Sequence, residues 1–441
     1  MKWSNFLFFS SVVISCPTYA NDPFAELDQE MAVYDDRSGD SVALEKEFQA
    51  FLIEQEKQYQ AWLVAYLKEF DQFQQTLVSK WGEGDVSQSD RNVEFSDDQN
   101  VKSVVDYENE ELSVAVLVDK NLSQQEVEKV VQDKIETLLQ DKKSNIARLF
   151  GDREFIKKGH VTVDQVAFSE NKKQQVKERI IKQTQAQIQQ IDKQADRVQL
   201  ANDQVSEDKS QQIAIQEKAE LIELTKQRMN KADSTYQEAQ RKSKNDKNIA
   251  VYKVQLPKNS LQDRAKKYVD MAEKEGKARD ISPALVMAIM HSESAFDPRA
   301  TSPVPAYGLM QIVPRTAGHD VNRLLRNIDK PMQKNDLYIP AVNVETGTAY
   351  LDILDKRYLK AIKDDRSRLY CTIAAYNTGA GNVARVFNKN GSRNINQAAT
   401  EINRLSADEV YKQLITKLPY DETRQYLRRV NSRIALYQVK I

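Results

Sequence analysis

The sequence predicts a mainly α-helical protein, in which an all-helical C-terminal domain follows a small α+β domain and a long polar helical insert. Three observations carry this. Of 441 residues only 12 are Gly and 11 Pro, while Gln, Lys, Glu and Ala are abundant, a balance that favours helix. Apolar residues recur at three- and four-residue steps through most of the chain. No strand pattern of any length appears after Gln255. The length suits two or three domains, and 40% hydrophobic residues can fill more than one core. A net charge of -1 with 29% charged residues gives no pull toward nucleic acid or anionic lipid, so no nucleic-acid partner is expected.

Residues 1–20 read as an export signal, with Lys2, an apolar run from Phe6 to Ile14 and a small-residue end. The run is too short to span a bilayer. Two processing sites compete: Thr18-Tyr19-Ala20 suits ordinary cleavage before Asn21, whereas Val13-Ile14-Ser15-Cys16 resembles a lipobox that would leave an acylated Cys16 as an outer-membrane anchor. Export implies the periplasm of a Gram-negative cell. Cys371 is the other cysteine and sits in an apolar helix pattern, as a buried thiol does. His160, His291 and His319 are scattered without ligand spacing, so neither a metal nor another cofactor is expected.

Residues 21–168 form the predicted α+β domain. Residues 41–81 make one long helix whose stripe includes Leu44, Phe48, Phe51, Leu52, Tyr59, Trp62, Leu63, Tyr66, Phe70, Phe73 and Leu77, read as packing rather than saccharide stacking. Trp81-Gly82-Glu83-Gly84 stops it. Val101–Tyr107 and Leu112–Val118 are β-rich and form a hairpin; Leu112, Val114, Val116 and Val118 alternate as in a half-buried strand. A helix from Ser123 to Gln140 covers the hairpin with Val127, Val130, Val131, Ile135, Leu138 and Leu139 at helical spacing.

Residues 169–247 turn polar, with two weak apolar seams, Ile181 to Val198 and Ile215 to Tyr236. Two antiparallel helices fit this, one long strut is the alternative, and a solvated linker is the bland reading. The insert is expected to act as a spacer or as a docking arm for a cell-envelope protein. Residues 248–257 hold a strand, NIAVYKVQ, that returns to the first sheet.

In residues 258–441 the central feature is a helix opened by Ser282 as N-cap and Pro283 at the first helical position. Val286, Ile289, Met290 and Phe296 draw an apolar stripe that includes Glu293. A carboxyl among apolar neighbours holds its proton to higher pH, as a general acid must. The bland reading is a helix-end glutamate turned to solvent. Downstream helices are expected at Pro340–Leu359, Arg366–Tyr376, after a Ser406/Glu409 capping box, and from Asp421 to Tyr437, with a sharp break at 377–381.

Glu293-Ser294, Gly308-Leu309-Met310-Gln311, Ala375-Tyr376-Asn377 and Pro419-Tyr420-Asp421-Glu422-Thr423-Arg424 with Tyr426 occur in that order. The series resembles the motifs of the family 1 lytic transglycosylases, whose catalytic domain is goose-type-lysozyme-like, and it covers the last 180 residues or so. The pre-catalytic region, LPKNSLQDRAKKY, and TGTAYLDIL and AAYNTGAGNVARVF are similar to the membrane-bound branch of that family. Pro305 and the insert depart from the resemblance.

The resemblance implies cleavage of the MurNAc–GlcNAc bond in peptidoglycan glycan strands without a cofactor. Glu293 acts first as acid and then as base on the muramoyl C6 hydroxyl, giving a 1,6-anhydro product. It also implies that Ser302 contacts the sugar, that Met310 and Gln311 line the cleft, that Tyr376 and Asn377 orient saccharide and carboxyl, and that Glu422 and Tyr426 bring the last helix to the cleft. The alternatives are a hydrolytic muramidase with a second carboxylate, among them Asp297, Asp320, Asp336 or Glu345, and a non-catalytic wall-binding scaffold. Ser302 capping a turn, Tyr376 in the core and Glu422 as a first-turn charge are the plain readings beside these roles.

Overall fold

The computed structural model of the chain describes residues 41–88, 90–142, 144–149, 155–201, 207–242 and 247–438. The export signal, Cys16 and the side chains of Leu44 to Tyr59 lie outside the described residues. The fold is mainly α, with one sheet. Helix α1, Ser41–Trp81, is followed by β1, Arg91–Phe95, β2, Val101–Asp106, and β3, Glu111–Asp119. Helices α2, Gln124–Gln140, and α3, Asn145–Leu149, lead to β4, His160–Gln165. Two long helices come next, α4, Glu170–Ala201, and α5, Glu207–Lys242, and then β5, Lys247–Gln255.

The sheet has five strands in the order β1-β2-β3-β5-β4, with every neighbouring pair antiparallel. The expected hairpin is its middle, and β5 returns along β3 from Glu111↔Gln255 to Asp119↔Lys247. The two strands that sequence reading missed, β1 and β4, are the edges; edge strands are short and polar on the outside, so their alternation is weak. Strand β3 is buried on both faces rather than half-buried. Its Leu112, Val114, Val116 and Val118 meet Val127, Val131 and Ile135 of α2. Ala115, on the other face, packs with Val104 and Val93 under Phe70, Phe73, Leu77 and Trp81 of α1. A helix on each side explains why Ala115 breaks the polar alternation.

Residues 169–247 contain neither one strut nor a spacer standing free. Helices α4 and α5 run antiparallel, joined across the seam by Lys177–Asp233 at 2.9 Å and a Thr184–Thr225 hydroxyl bond at 2.8 Å. Their polar composition suits this arrangement because buried polar side chains are paired, not exposed: Arg228 holds Asp71 of α1 at 2.7 Å through two nitrogens and reaches Gln183 at 2.5 Å.

The C-terminal domain is built from α6, Ser260–Lys266, α7, Val269–Arg279, α8, Pro283–Ser294, α9, His319–Leu325, α10, Pro340–Ile353, and α11, Asp365–Thr378. There follow α12, Ala380–Phe387, α13, Ile395–Ile402, α14, Ala407–Lys417, and α15, Asp421–Gln438. The β features described after Gln255 are isolated bridges of Tyr307 with Thr301 and Ile312. Both capping boxes, Ser123/Glu126 and Ser406/Glu409, are formed. The expected Ser282 cap is not: its side chain accepts no cap hydrogen bond, and Pro283 alone marks the start.

Candidate active site

Helix α8 is the axis of its domain, and Ala284 through Met290 are buried all round, so the apolar stripe widens into a full coat. Phe296 reaches the core by leaving the helix. Ala295 and Phe296 both take positive φ, 48° and 66°, and Phe296 then stacks on Tyr268 at 6.3 Å. This sharp exit leaves Glu293 on the last turn, half-buried, facing other elements instead of continuing into solvent.

Helix α15 lies along α8. Arg433 donates to the His291 carbonyl at 3.0 Å and to Ser292 Oγ at 3.1 Å, and the Tyr437 hydroxyl pairs with His291 Nδ1 at 3.0 Å. Residues 426, 430, 433 and 437 share one face at helical spacing. Tyr426 is thereby carried to the Glu293 carboxyl, against which its buried hydroxyl lies. That hydroxyl has no hydrogen-bond partner of good geometry.

Burial pushes the Glu293 carboxyl up to about 7, against the pull of the Tyr426 hydroxyl and of the Lys193 charge; Glu422 pushes the same way as burial. Glu422 itself is exposed at the start of α15. Three of the other candidate carboxylates are engaged elsewhere. Asp297 accepts from Asn92 at 2.7 Å, from the Tyr107 hydroxyl at 3.3 Å and from the Arg299 N–H at 2.9 Å, which ties the sheet domain to the end of α8. Glu345 pairs with Arg279 at 2.6 Å and with Arg326. Asp320 is buried under the Tyr358 hydroxyl at 3.3 Å, and Asp336 is exposed on a short turn.

The loop carrying Gly308-Leu309-Met310-Gln311 is pinned from three sides. Ser294 Oγ donates to the Leu309 carbonyl at 2.8 Å, and the Tyr376 hydroxyl donates to the Met310 carbonyl at 2.8 Å. Fully buried Asn343 accepts from the Met310 N–H at 2.8 Å and donates to the Tyr307 and Leu337 carbonyls at 2.7 and 2.8 Å. Gly308 is required here: its φ is +77°, and a Cβ would stand 2.3 Å from the Leu337 oxygen. Gly308→Ala is expected to destabilise the chain by about 2–3 kcal/mol in chemical unfolding, backbone strain and clash together. Gly391→Ala, equally left-handed at φ +71° but facing open space, is expected to cost about 1 kcal/mol.

These contacts correct one expectation. Met310 does not line a cleft; it is fully buried, with its sulfur against Gly347. Gln311 turns its amide back onto the Ala300 and Gly308 carbonyls at 3.1 and 2.9 Å, bracing the loop. Ser302 is half-buried and its hydroxyl engages the Val304 carbonyl inside its own turn. Tyr376 is core with its hydroxyl satisfied, on the helix that also presents Asn377, whose Oδ1 accepts from Thr423 Oγ1 at 2.7 Å. Glu293, Tyr376, Glu422 and Tyr426 are brought together; Asn377 joins them through Thr423.

Sequence reading missed Lys193 altogether. From the C-terminal third of α4 its ammonium donates to the Tyr376 carbonyl at 2.9 Å and faces both Glu293 and Glu422. It sits in a polar helix where one lysine among many carries no distinguishing pattern. Asn343 and Ser294 were also missed as supports, although Ser294 stands inside a quoted motif. Cys371 is buried and burial pushes its thiol up, as in a packed position.

Comparisons with known proteins bear on this arrangement. Residues 270–399 match the model of the transglycosylase SLT domain. The chain is 44% identical over 179 residues to membrane-bound lytic murein transglycosylase C of Salmonella paratyphi B, covering 41% of this chain and 48% of that protein. It is 43% identical over 179 residues to the protein of that name in Serratia proteamaculans, with 41% and 49% covered. The chain thus spans about half the length of the curated relatives it matches. Among solved structures it is similar to the 70 kDa soluble lytic transglycosylase of Escherichia coli, at 28% identity over 39% of this chain and 24% of that one, with a TM-score of 0.30. Glu293, the Gly308 loop and Tyr376 all fall inside the segment that is similar to the transglycosylase SLT domain.

Proposed function

We propose that the chain is an envelope enzyme of the periplasm, a peptidoglycan lytic transglycosylase that cuts the MurNAc–GlcNAc bond and leaves a 1,6-anhydromuramoyl end. The observation that carries the reading is Glu293, a single carboxyl held up to about 7 by burial, with Tyr426, Tyr376 and Lys193 around it. The names of the relatives, membrane-bound lytic murein transglycosylases, support the substrate class and a place at the envelope. Cleavage before Asn21, which leaves a soluble periplasmic form, and lipidation of Cys16 are the two processing routes compatible with this reading.

In the first step Glu293 gives its proton to the glycosidic oxygen as the C1–O bond breaks, leaving an oxocarbenium-like centre on the muramoyl sugar. Glu293, now a carboxylate, takes the proton of the C6 hydroxyl as that oxygen bonds to C1. The carboxyl ends protonated, as it began, and no water is consumed. Because the nucleophile belongs to the same sugar, its effective molarity is high. One carboxylate therefore suffices, in keeping with the engagement of Asp297, Asp320 and Glu345 elsewhere.

Digestion of purified sacculi followed by mass spectrometry tests the reading. Products lighter by one water than hydrolysis products are expected; reducing-ended products alone would make the enzyme a hydrolytic muramidase, and no release would make it a wall-binding scaffold. The pH profile follows from the same carboxyl. Glu293 must carry its proton to begin, so kcat/KM is expected to level off below pH 7 and to fall about tenfold per pH unit above it.

A further inference from the structure

The hairpin of α4 and α5 grips the C-terminal domain at the turn after Tyr376. Asp196 accepts from the Gly381 N–H at 2.9 Å and from Arg393 at 2.7 Å; Asp192 accepts from Arg393 at 3.0 Å and from the Tyr420 hydroxyl at 3.0 Å. A Cβ on Gly379 would meet Lys193 Cγ at 3.0 Å, so α4 lies directly on this turn. Between the two aspartates, Lys193 Nζ reaches the Tyr376 carbonyl. A lysine head in such a place is costly, and an apolar side chain of similar volume would pack at least as well.

The geometry points to the helical hairpin as a wall of the active site, with Lys193 a positioning residue that holds the Glu293 carboxylate by its charge. This rests on Glu293 being the acid and base proposed above. Lys193 is faced by Glu293 from α8, Glu422 from α15, the Tyr376 carbonyl from α11 and Asp196 from its own helix. Glu293 is faced in addition by Tyr426 and by the Arg429 charge. Each proton that Glu293 gives up leaves a carboxylate, and the ammonium stabilises that state. Burial lowers Lys193 to about 8, with the three carboxylates opposing, so near neutral pH it remains largely charged. The insert is then a part of the catalytic apparatus, and a spacer role does not describe it.

The test is a titration of the full chain with carboxyl-labelled glutamate, the Glu293 signal being assigned by its loss in Glu293→Gln. In Lys193→Met and in Lys193→Gln, which retains a donor for the Tyr376 carbonyl, the Glu293 midpoint is expected to rise by about one pH unit. Lys193→Arg restores it. The basic limb of sacculus release moves by the same amount in the same direction, with KM little changed. A midpoint that stays put in both neutral variants, or moves equally in Lys193→Arg, overturns the proposal, as does a failure of both neutral variants to fold, which would make Lys193 a structural group. The titration needs no substrate, so it decides the role of Lys193 even if Glu293→Gln were to retain release and the proposed function fell.

Discussion

Glu293→Gln is expected to lower the release of soluble fragments from sacculi by about 10²–10⁴-fold, the range by which a positioned acid and base accelerates such a step. The amide keeps the shape of the carboxyl but has no proton to give the leaving oxygen, and it cannot take one from C6. Sacculus binding stays near wild type, because the loop and helix contacts around position 293 run through Ser294, Asn343 and Tyr376. Stability moves the other way from activity. Burial raises the carboxyl from an ordinary 4.5 to about 7, so its contribution to folding is full below about 4.5 and is lost as pH climbs through 7. At pH 8 the variant, which cannot ionise, therefore unfolds at a temperature equal to or above that of wild type. Release that survives the substitution would remove Glu293 from the chemistry.

Arg393→Met destabilises the chain by about 3–5 kcal/mol in chemical unfolding, the usual consequence of leaving buried charges without their partner. Arg393 meets Asp192 at 3.0 Å and Asp196 at 2.7 Å, and the three side chains are at most 8% exposed. Asp192 keeps Lys218 and the Tyr420 hydroxyl after the change, whereas Asp196 retains the Gly381 N–H. The hairpin consequently loosens from the turn after Tyr376, and activity falls along with stability as Lys193 leaves its place. Arg404→Met, in an exposed pair with Glu401 one turn away, is the control and stays close to wild type. Equal midpoints for the two variants would show that the hairpin is held by something other than this cluster.

Much of the fold is legible where a residue's role depends on its near neighbours. The Ser406/Glu409 capping box, the stop at Trp81 and the pairing of β2 with β3 are local patterns, and each appears where the spacing put it. Helices α9, α12 and α13 were passed over because they are short and one of them, α12, begins a single residue after α11 ends, at a Gly379 whose φ is +91°. Five glycine-rich residues looked like a break; the chain needs only one of them to turn. Met310 and Gln311 were assigned to a cleft by motif; Met310 instead points inward, whereas half-buried Gln311 braces the loop through its amide nitrogen.

Sequence alone determined the helical class, the order of the motifs and the place of Glu293 within an apolar run, because such patterns are read from residues a few positions apart. Tertiary structure decided what surrounds that acid. Tyr426 arrives from 133 positions downstream and Lys193 from 100 positions upstream, each on a helix whose own pattern is satisfied without reference to the site. Local spacing sets which face a helix buries, whereas the field at a carboxyl sums over whatever charges the packing brings near it, and no pattern along the chain records that sum.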